Sequence, residues 1–377
     1  MSQATNRSTL PEPRLVVVLA GAATVGTLTP TALERASMPN LAALAMGGRV
    51  GRLRAVPPHH PVDATSAHAT LLGATLPDAL DPAAVSAEAA GALVAPGERC
   101  TLVEVLDHVG DAAPALHVAR ALEVLRGQLA DYRVAAVRRG NQLLLAGPGR
   151  PKMPVVDGLQ LTAAPAGHLP SAPPLDPSTV AIAAAGSSLL GVARLLGATP
   201  VMVDGMRAGR HDPVPERLRS AALRALLGGA ATIVVETTAP LIARRGLRDD
   251  PSRERAAAAV LSLLDRELLG PLRTAAAWRG AGFVVTSDIA RASSGPPVRG
   301  DVPIVVAGGH GETTTARGAR VGSDGTLLPP VYSERGQLGR AIVTSPFALP
   351  PVRDPLAPIR FARDPASGRT VPIEPAA

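Results

Sequence analysis

The chain has 377 residues, 46% of them hydrophobic and 18% charged, which excludes a disordered polymer and gives room for two or three domains. Its net charge of +7 is carried almost wholly by arginine, with Lys152 the single lysine. These arginines are scattered and only 2% of residues are aromatic, so no nucleic-acid partner is expected, whereas an anionic small molecule fits.

Residues Met1 to Arg14 are polar and proline-bearing, unlike a signal peptide. Leu15 to Ala20 is a short apolar run that predicts a strand buried on both faces; it is far too short to cross a bilayer. A cytoplasmic protein with no membrane partner is the resulting expectation. Ser37 to Met46 predicts a helix ended by Gly47-Gly48, and Thr65 to Leu72 a short helix capped by Asp63 or Thr65.

The texture changes from about Pro77 to Pro177. Leu102 to Leu106 and Ala115 to Leu129 read as helices, Val134 to Val137 and Gln142 to Ala146 as a hairpin, and Gly147 to Pro177 as loop and linker. Cys100, the sole cysteine, excludes an internal disulfide and a thiolate cluster and reads as a buried small hydrophobe. An α/β rhythm then resumes. Strands are predicted over Val180–Ala184, Pro200–Val203, Ala231–Val235, Gly282–Thr286 and Val302–Ala307. Helices are predicted over Ser187–Leu196, Pro215–Leu227 and Pro251–Leu269, the last capped by Asp250. Such alternation predicts a doubly wound, mainly parallel α/β sheet, residues 1–76 and 178–377, interrupted by a reduced α+β insert, residues 77–177.

Ligands of such sheets bind beyond the carboxyl ends of the strands. Here those ends are Ala20-Gly21, Glu236-Thr237, Thr286-Ser287-Asp288 and Ala307-Gly308. The stretch that would face them is Val62 to Gly73, V-D-A-T-S-A-H-A-T-L-L-G. With Met38-Pro-Asn-Leu-Ala-Ala-Leu44, Ala181 to Gly197, Leu264-Asp-Arg-Glu-Leu-Leu-Gly-Pro-Leu272 and Ser333-Glu-Arg335, it resembles the archaeal-type cofactor-independent phosphoglycerate mutases of the alkaline phosphatase superfamily. The order and spacing of these segments run from about Leu15 to Arg340.

The resemblance implies an alkaline-phosphatase-like fold and two divalent ions, manganese or magnesium, that activate a serine and clamp the transferred phosphoryl group. Carried across position by position, the family's ligands and nucleophile fall on Ala20, Ala64, Ala239, Ala243, Ile289 and near Pro297, and only Asp288 keeps a ligand type. Alanine, isoleucine and proline cannot hold a divalent ion, so no metal or other cofactor is expected.

Three residues remain as catalytic candidates, each with a plainer reading. Asp288 is a ligand, a base or a loop cap. Ser66 is a displaced nucleophile or a polar helix residue, and His68, two residues on, does not share its helical face. His68 is itself a base or a hydrogen-bonded structural residue. Arg207, Arg210, His211, Arg291 and Arg299 lie near the strand ends, with Arg244-Arg245, and form a candidate anion site in which guanidinium forks replace metal charge; the plainer reading is a solvated surface.

The expected function is that of a phosphoglycerate-mutase-like protein without mutase catalysis, binding a protein partner or an anionic metabolite. The alternative is a residual or repurposed enzyme acting on a phosphorylated small molecule, with manganese or magnesium if the ligands have moved.

Overall fold

The first strand, β1 (Arg14–Leu19), is buried at every position. Its alternating side chains therefore feed two cores. Leu15, Val17 and Leu19 enter one with Ile233, Val235 and Phe283, while Val16 and Val18 enter the other with Val234 and Val284. Each such valine or leucine contributes about 1.5–3 kcal/mol. The computed structural model describes residues 13–25, 30–72, 80–91, 98–110, 113–136, 141–164, 175–203, 215–244, 247, 249–292 and 296–307, and the backbone of 331–332, 360–363 and 370–373.

After β1 come β2 (Thr24–Val25), α1 (Ala32–Arg35), α2 (Pro39–Gly47), β3 (Arg49–Leu53), α3 (Ala64–Leu71) and α4 (Pro82–Ala90). A second block holds β4 (Arg99–Asp107), α5 (Ala115–Gln128), β5 (Arg133–Ala136), β6 (Gln142–Gly147) and β7 (Leu159–Ala163). The chain then alternates through β8 (Thr179–Ala184), α6 (Ser188–Leu195), β9 (Thr199–Val203), α7 (Pro215–Leu227) and β10 (Thr232–Thr237). Next are α8 (Ala239–Ala243), α9 (Asp250–Leu264), a π-helical turn (Asp265–Leu269) and α10 (Gly270–Trp278). Strands β11 (Gly282–Thr286), β12 (Arg291–Ala292), β13 (Val302–Ala307) and β14 (Val331–Tyr332) follow.

Eight strands form the main sheet in the order β14-β3-β13-β11-β1-β10-β8-β9. Pairing is parallel from β11 through β1, β10 and β8 to β9, and β13 runs antiparallel to both β11 and β3. Helices α3 and α6 pack with Val85 of α4 on one face, and α1, α2, α7, α9 and α10 on the other. The doubly wound, mainly parallel sheet expected from the sequence is the one observed.

The second sheet has the order β5-β6-β4-β7, antiparallel throughout, with α5 packed on Val103, Val105, Leu143 and Leu145. α4 joins the two layers. Ala83 and Ala87 pack on Leu102 and Leu144, while a Cβ on Gly191 of α6 would overlap the Val85 carbonyl of α4. Among the described residues, no helix is long and apolar enough to cross a membrane.

Several local expectations change. Leu102 to Leu106 is strand, not helix, because β4 pairs on both edges and buries Leu102, Val103 and Val105 while Glu104 faces out. The stretch read as linker after Gly147 contains β7. The long helix is capped by Asp249, whose carboxylate accepts the Ser252 N–H at 2.8 Å, and Asp250 is its first helical residue. It passes at Asp265 into the π-helical turn, just ahead of Pro271, which lacks an N–H to continue a regular ladder. Because β13 is antiparallel, Ala307 lies opposite Phe283, at the far end of the sheet from the carboxyl end of β11.

Candidate functional site

β11, β1 and β10 are neighbours in the sheet and end side by side. The residues at those ends are polar although the strands are apolar, and they are buried: Glu236 and Thr237, the last two of β10, and Ser287 and Asp288, just past β11. Buried polar groups need partners, and each carboxylate here has several.

Asp288 closes the gap between β11 and β1. Its Oδ1 accepts the Gly21 N–H at 2.8 Å and the Ser287 hydroxyl at 3.3 Å, and its Oδ2 takes Arg291 Nη2 at 3.1 Å. Gly21 itself has φ 76°, and a Cβ there would lie 2.9 Å from that of Leu241, so only glycine fits this corner. Its carbonyl accepts from Arg244 Nη1. The guanidinium of Arg244 forks onto Glu254, Nε to Oε1 at 3.1 Å and Nη2 to Oε2 at 3.2 Å, in a pair buried almost completely. Glu254 Oε2 also accepts the Thr24 hydroxyl at 3.2 Å and the Ala32 N–H.

Across the sheet, α3 begins at Ala64 because Asp63 accepts the Ser66 N–H at 2.7 Å. One turn further, His68 is buried between β10 and α6. Its Nδ1 is hydrogen-bonded to Ser188 Oγ at 2.9 Å. Its Nε2 lies 3.1 Å from Glu236 Oε1, an ion pair when the ring is protonated. Ser187, the N-cap of α6, donates its hydroxyl to Glu236 Oε2. Burial disfavours the imidazolium, but Glu236 first, then Asp288 and Asp63, outweigh it and raise the His68 pKa above its ordinary value.

The structure thus places two of the three catalytic candidates at the strand ends. His68 is joined to Glu236 and Ser188, Glu236 in turn to Ser187, and Asp288 to Gly21 and Arg291. Ser66 is buried on α3 and does not share the imidazole, which turns to α6 instead. Of the positions onto which the resemblance carries metal ligands, Ala20 and Ile289 are buried and apolar, Ala64 and Ala239 open short helices, and Pro297 bridges to Arg291. Among the described residues, no three His, Cys, Asp or Glu side chains converge as metal ligands would. Among the described residues the donor set does not fit a two-ion clamp, because Asp288 already holds the Arg291 guanidinium and the Gly21 N–H.

The arginines separate. Arg291 faces Asp288, whereas Arg299 donates Nη1 to the Pro57 carbonyl at 2.7 Å and Nη2 to that of His60 at 2.8 Å. Arg207, Arg210, His211 and Arg245 lie outside the described residues. Glu236, Ser187, Ser188 and Glu254 are the site residues that sequence reasoning passes over. The available signals are a carboxylate closing an apolar strand in I-V-V-E and a Gly-Ser-Ser step from strand to helix.

No family model matches the chain, and no curated protein matches it in sequence. Its fold does match solved structures. The PH0037 protein from Pyrococcus horikoshii is 17% identical over 80% of this chain and 88% of its own, with a TM-score of 0.63. A cofactor-independent phosphoglycerate mutase from Thermoplasma acidophilum is 15% identical over 83% of this chain and 94% of its own, at a TM-score of 0.48. Murine ectonucleotide pyrophosphatase/phosphodiesterase 5 is 13% identical over 74% of this chain and 57% of its own, at a TM-score of 0.34.

Proposed function

We propose that this chain keeps a phosphoglycerate-mutase-like frame, has given up metal-dependent phosphoryl transfer, and binds an anionic metabolite or a protein partner. One observation carries the reading. Asp288, the single ligand-type residue retained from the family pattern, is held by the Gly21 N–H and the Arg291 guanidinium, so a fixed cation stands against the carboxylate that a metal would need. The apolar character of Ala20 and Ile289 beside it supports the same conclusion. A divalent ion would have to displace a buried ion pair and still find further ligands.

The test is turnover of 2- and 3-phosphoglycerate by purified protein in excess manganese or magnesium. No interconversion is expected, with or without Ala64→Ser, since a restored hydroxyl has no metal to activate it. Metal-dependent turnover abolished by Asp288→Ala would overturn the reading. Calorimetric titration with 3-phosphoglycerate and inorganic phosphate then separates the two ligand classes, because heat of binding that weakens with salt marks an anion site and its absence leaves the protein partner.

A further inference from the structure

The step from β8 into α6 is sharp. Gly186 adopts φ 76°, in the left-handed region, so the strand turns into the helix within a few residues. Ser187 caps the helix and Ser188 is its first residue. Ser188 is partly exposed, while the His68 ring it touches and the Glu236 carboxylate behind that ring are buried. We propose that Ser188, His68 and Glu236 form a metal-free serine-nucleophile relay able to cleave carboxylic esters. The inference goes beyond the loss of phosphoryl transfer and does not depend on it, because neither step of ester cleavage uses a metal.

Geometry and roles, not chain order, define such a relay. The hydroxyl meets Nδ1 at 2.9 Å, within reach for proton transfer, and the carboxylate sits 3.1 Å from Nε2, close enough to stabilise the imidazolium that forms when Nδ1 takes that proton. Ser187 holds the second oxygen of Glu236, which fixes the carboxylate against the ring. A purely structural histidine would be satisfied by two buried partners. Here the line of contacts runs outward, from a buried carboxylate to a residue that is partly exposed. As the first helical residue, Ser188 also has no intrahelical acceptor for its own N–H, which leaves that donor open to an oxyanion formed beside Oγ.

The chemistry balances with water as the only co-reactant. Ser188 Oγ bonds to the ester carbonyl carbon and its proton passes to His68 Nδ1. The ester C–O bond breaks, the alcohol leaves with that proton, and the acyl group stays on Ser188. Water then attacks the acyl carbon, gives a proton to Nδ1, and the Oγ–acyl bond breaks to release the carboxylic acid as Oγ regains its proton. Ser188 and His68 are catalytic in this scheme; Glu236 is a positioning residue.

The experiment uses the full chain in chelator-treated buffer with a fluorophosphonate probe, mapping the modified peptide by mass spectrometry, and p-nitrophenyl butyrate as substrate. Modification at Ser188 is expected, together with ester hydrolysis above the buffer rate. Ser188→Ala should abolish both in a protein that is still folded by circular dichroism, and His68→Asn should slow labelling by about 10²–10⁴-fold. Glu236→Gln should still label at Ser188 but shift the half-maximal rate to lower pH, since the imidazole loses its nearest carboxylate while Asp63 and Asp288 remain. A folded wild-type protein left unmodified at Ser188, or a Ser188→Ala variant labelled as fast as wild type, overturns the relay. Metal-dependent phosphoglycerate turnover would overturn the preceding reading alone and leave this one standing.

Discussion

Two carboxylate–cation pairs flank the central strands, and comparing them separates architecture from chemistry. In Arg244–Glu254 the fork engages both carboxylate oxygens and Nη1 turns to the carbonyls of Gly21 and Pro240. In His68–Glu236 the burial is as complete, with side chains 1% and 4% exposed. The difference is in the cation. A guanidinium does not lose its proton, so the first pair has one state, and it ties β1 to α1 and α9. An imidazole has two states near neutral pH, and its second nitrogen leads to Ser188. Burial is common to both pairs; proton lability and an exposed end belong to one.

The sharpest way to break the comparison is to remove one partner of the static pair. Glu254→Ala strands a buried guanidinium and deprives Ala32 and Thr24 of their acceptor, and should cost about 3–5 kcal/mol in urea unfolding. Gly21→Ala comes next. The left-handed backbone alone should cost about 1–2 kcal/mol, and the approach of Leu241 should add to it, read as a lower urea midpoint at unchanged slope.

The titrating pair gives a smaller effect that is confined to a pH window. The folded pKa of His68 is raised above its ordinary 6.5, so its stabilising contribution is complete below that value and fades as pH climbs through the folded one. Melting temperatures measured from pH 6 upward should fall for wild type. They should lose that component of the slope in His68→Gln, while Glu254→Ala keeps it. Arg54 and Asp301, an exposed pair with side chains 45% and 19% accessible, should give the least: Arg54→Ala is expected within about 1 kcal/mol of wild type.

Much of the sheet was legible because buried parallel strands have a plain pattern, and β1, β10, β11 and β13 read directly from apolar runs. β4 was not, since Leu-Val-Glu-Val-Leu satisfies a helical and an alternating pattern equally, and only pairing with β6 and β7 decides between them. In the site, Asp288 stood out by its place at a strand end and His68 by the resemblance of its segment. Ser188 did not, because it lies inside a segment whose hydrophobic spacing reads simply as helix.

By itself, then, the sequence determined the α/β alternation, the positions where the central strands end, and the residue types standing there. Local periodicity and turn chemistry carry that information along the chain. Tertiary structure alone decided the partners. Asp265 of the π-helical turn caps α2 by accepting the Asn40 and Leu41 N–H groups at 3.0 and 2.9 Å, although some 225 residues lie between them. His68 likewise meets Ser188 120 residues further along, and Glu236 beyond that. The direction of β13, and with it the removal of Ala307 from the site, was settled by pairing in the same way. Contacts of this kind follow from which strands pair and which helix face is buried, and these are properties of the packed chain that no window of neighbouring residues contains.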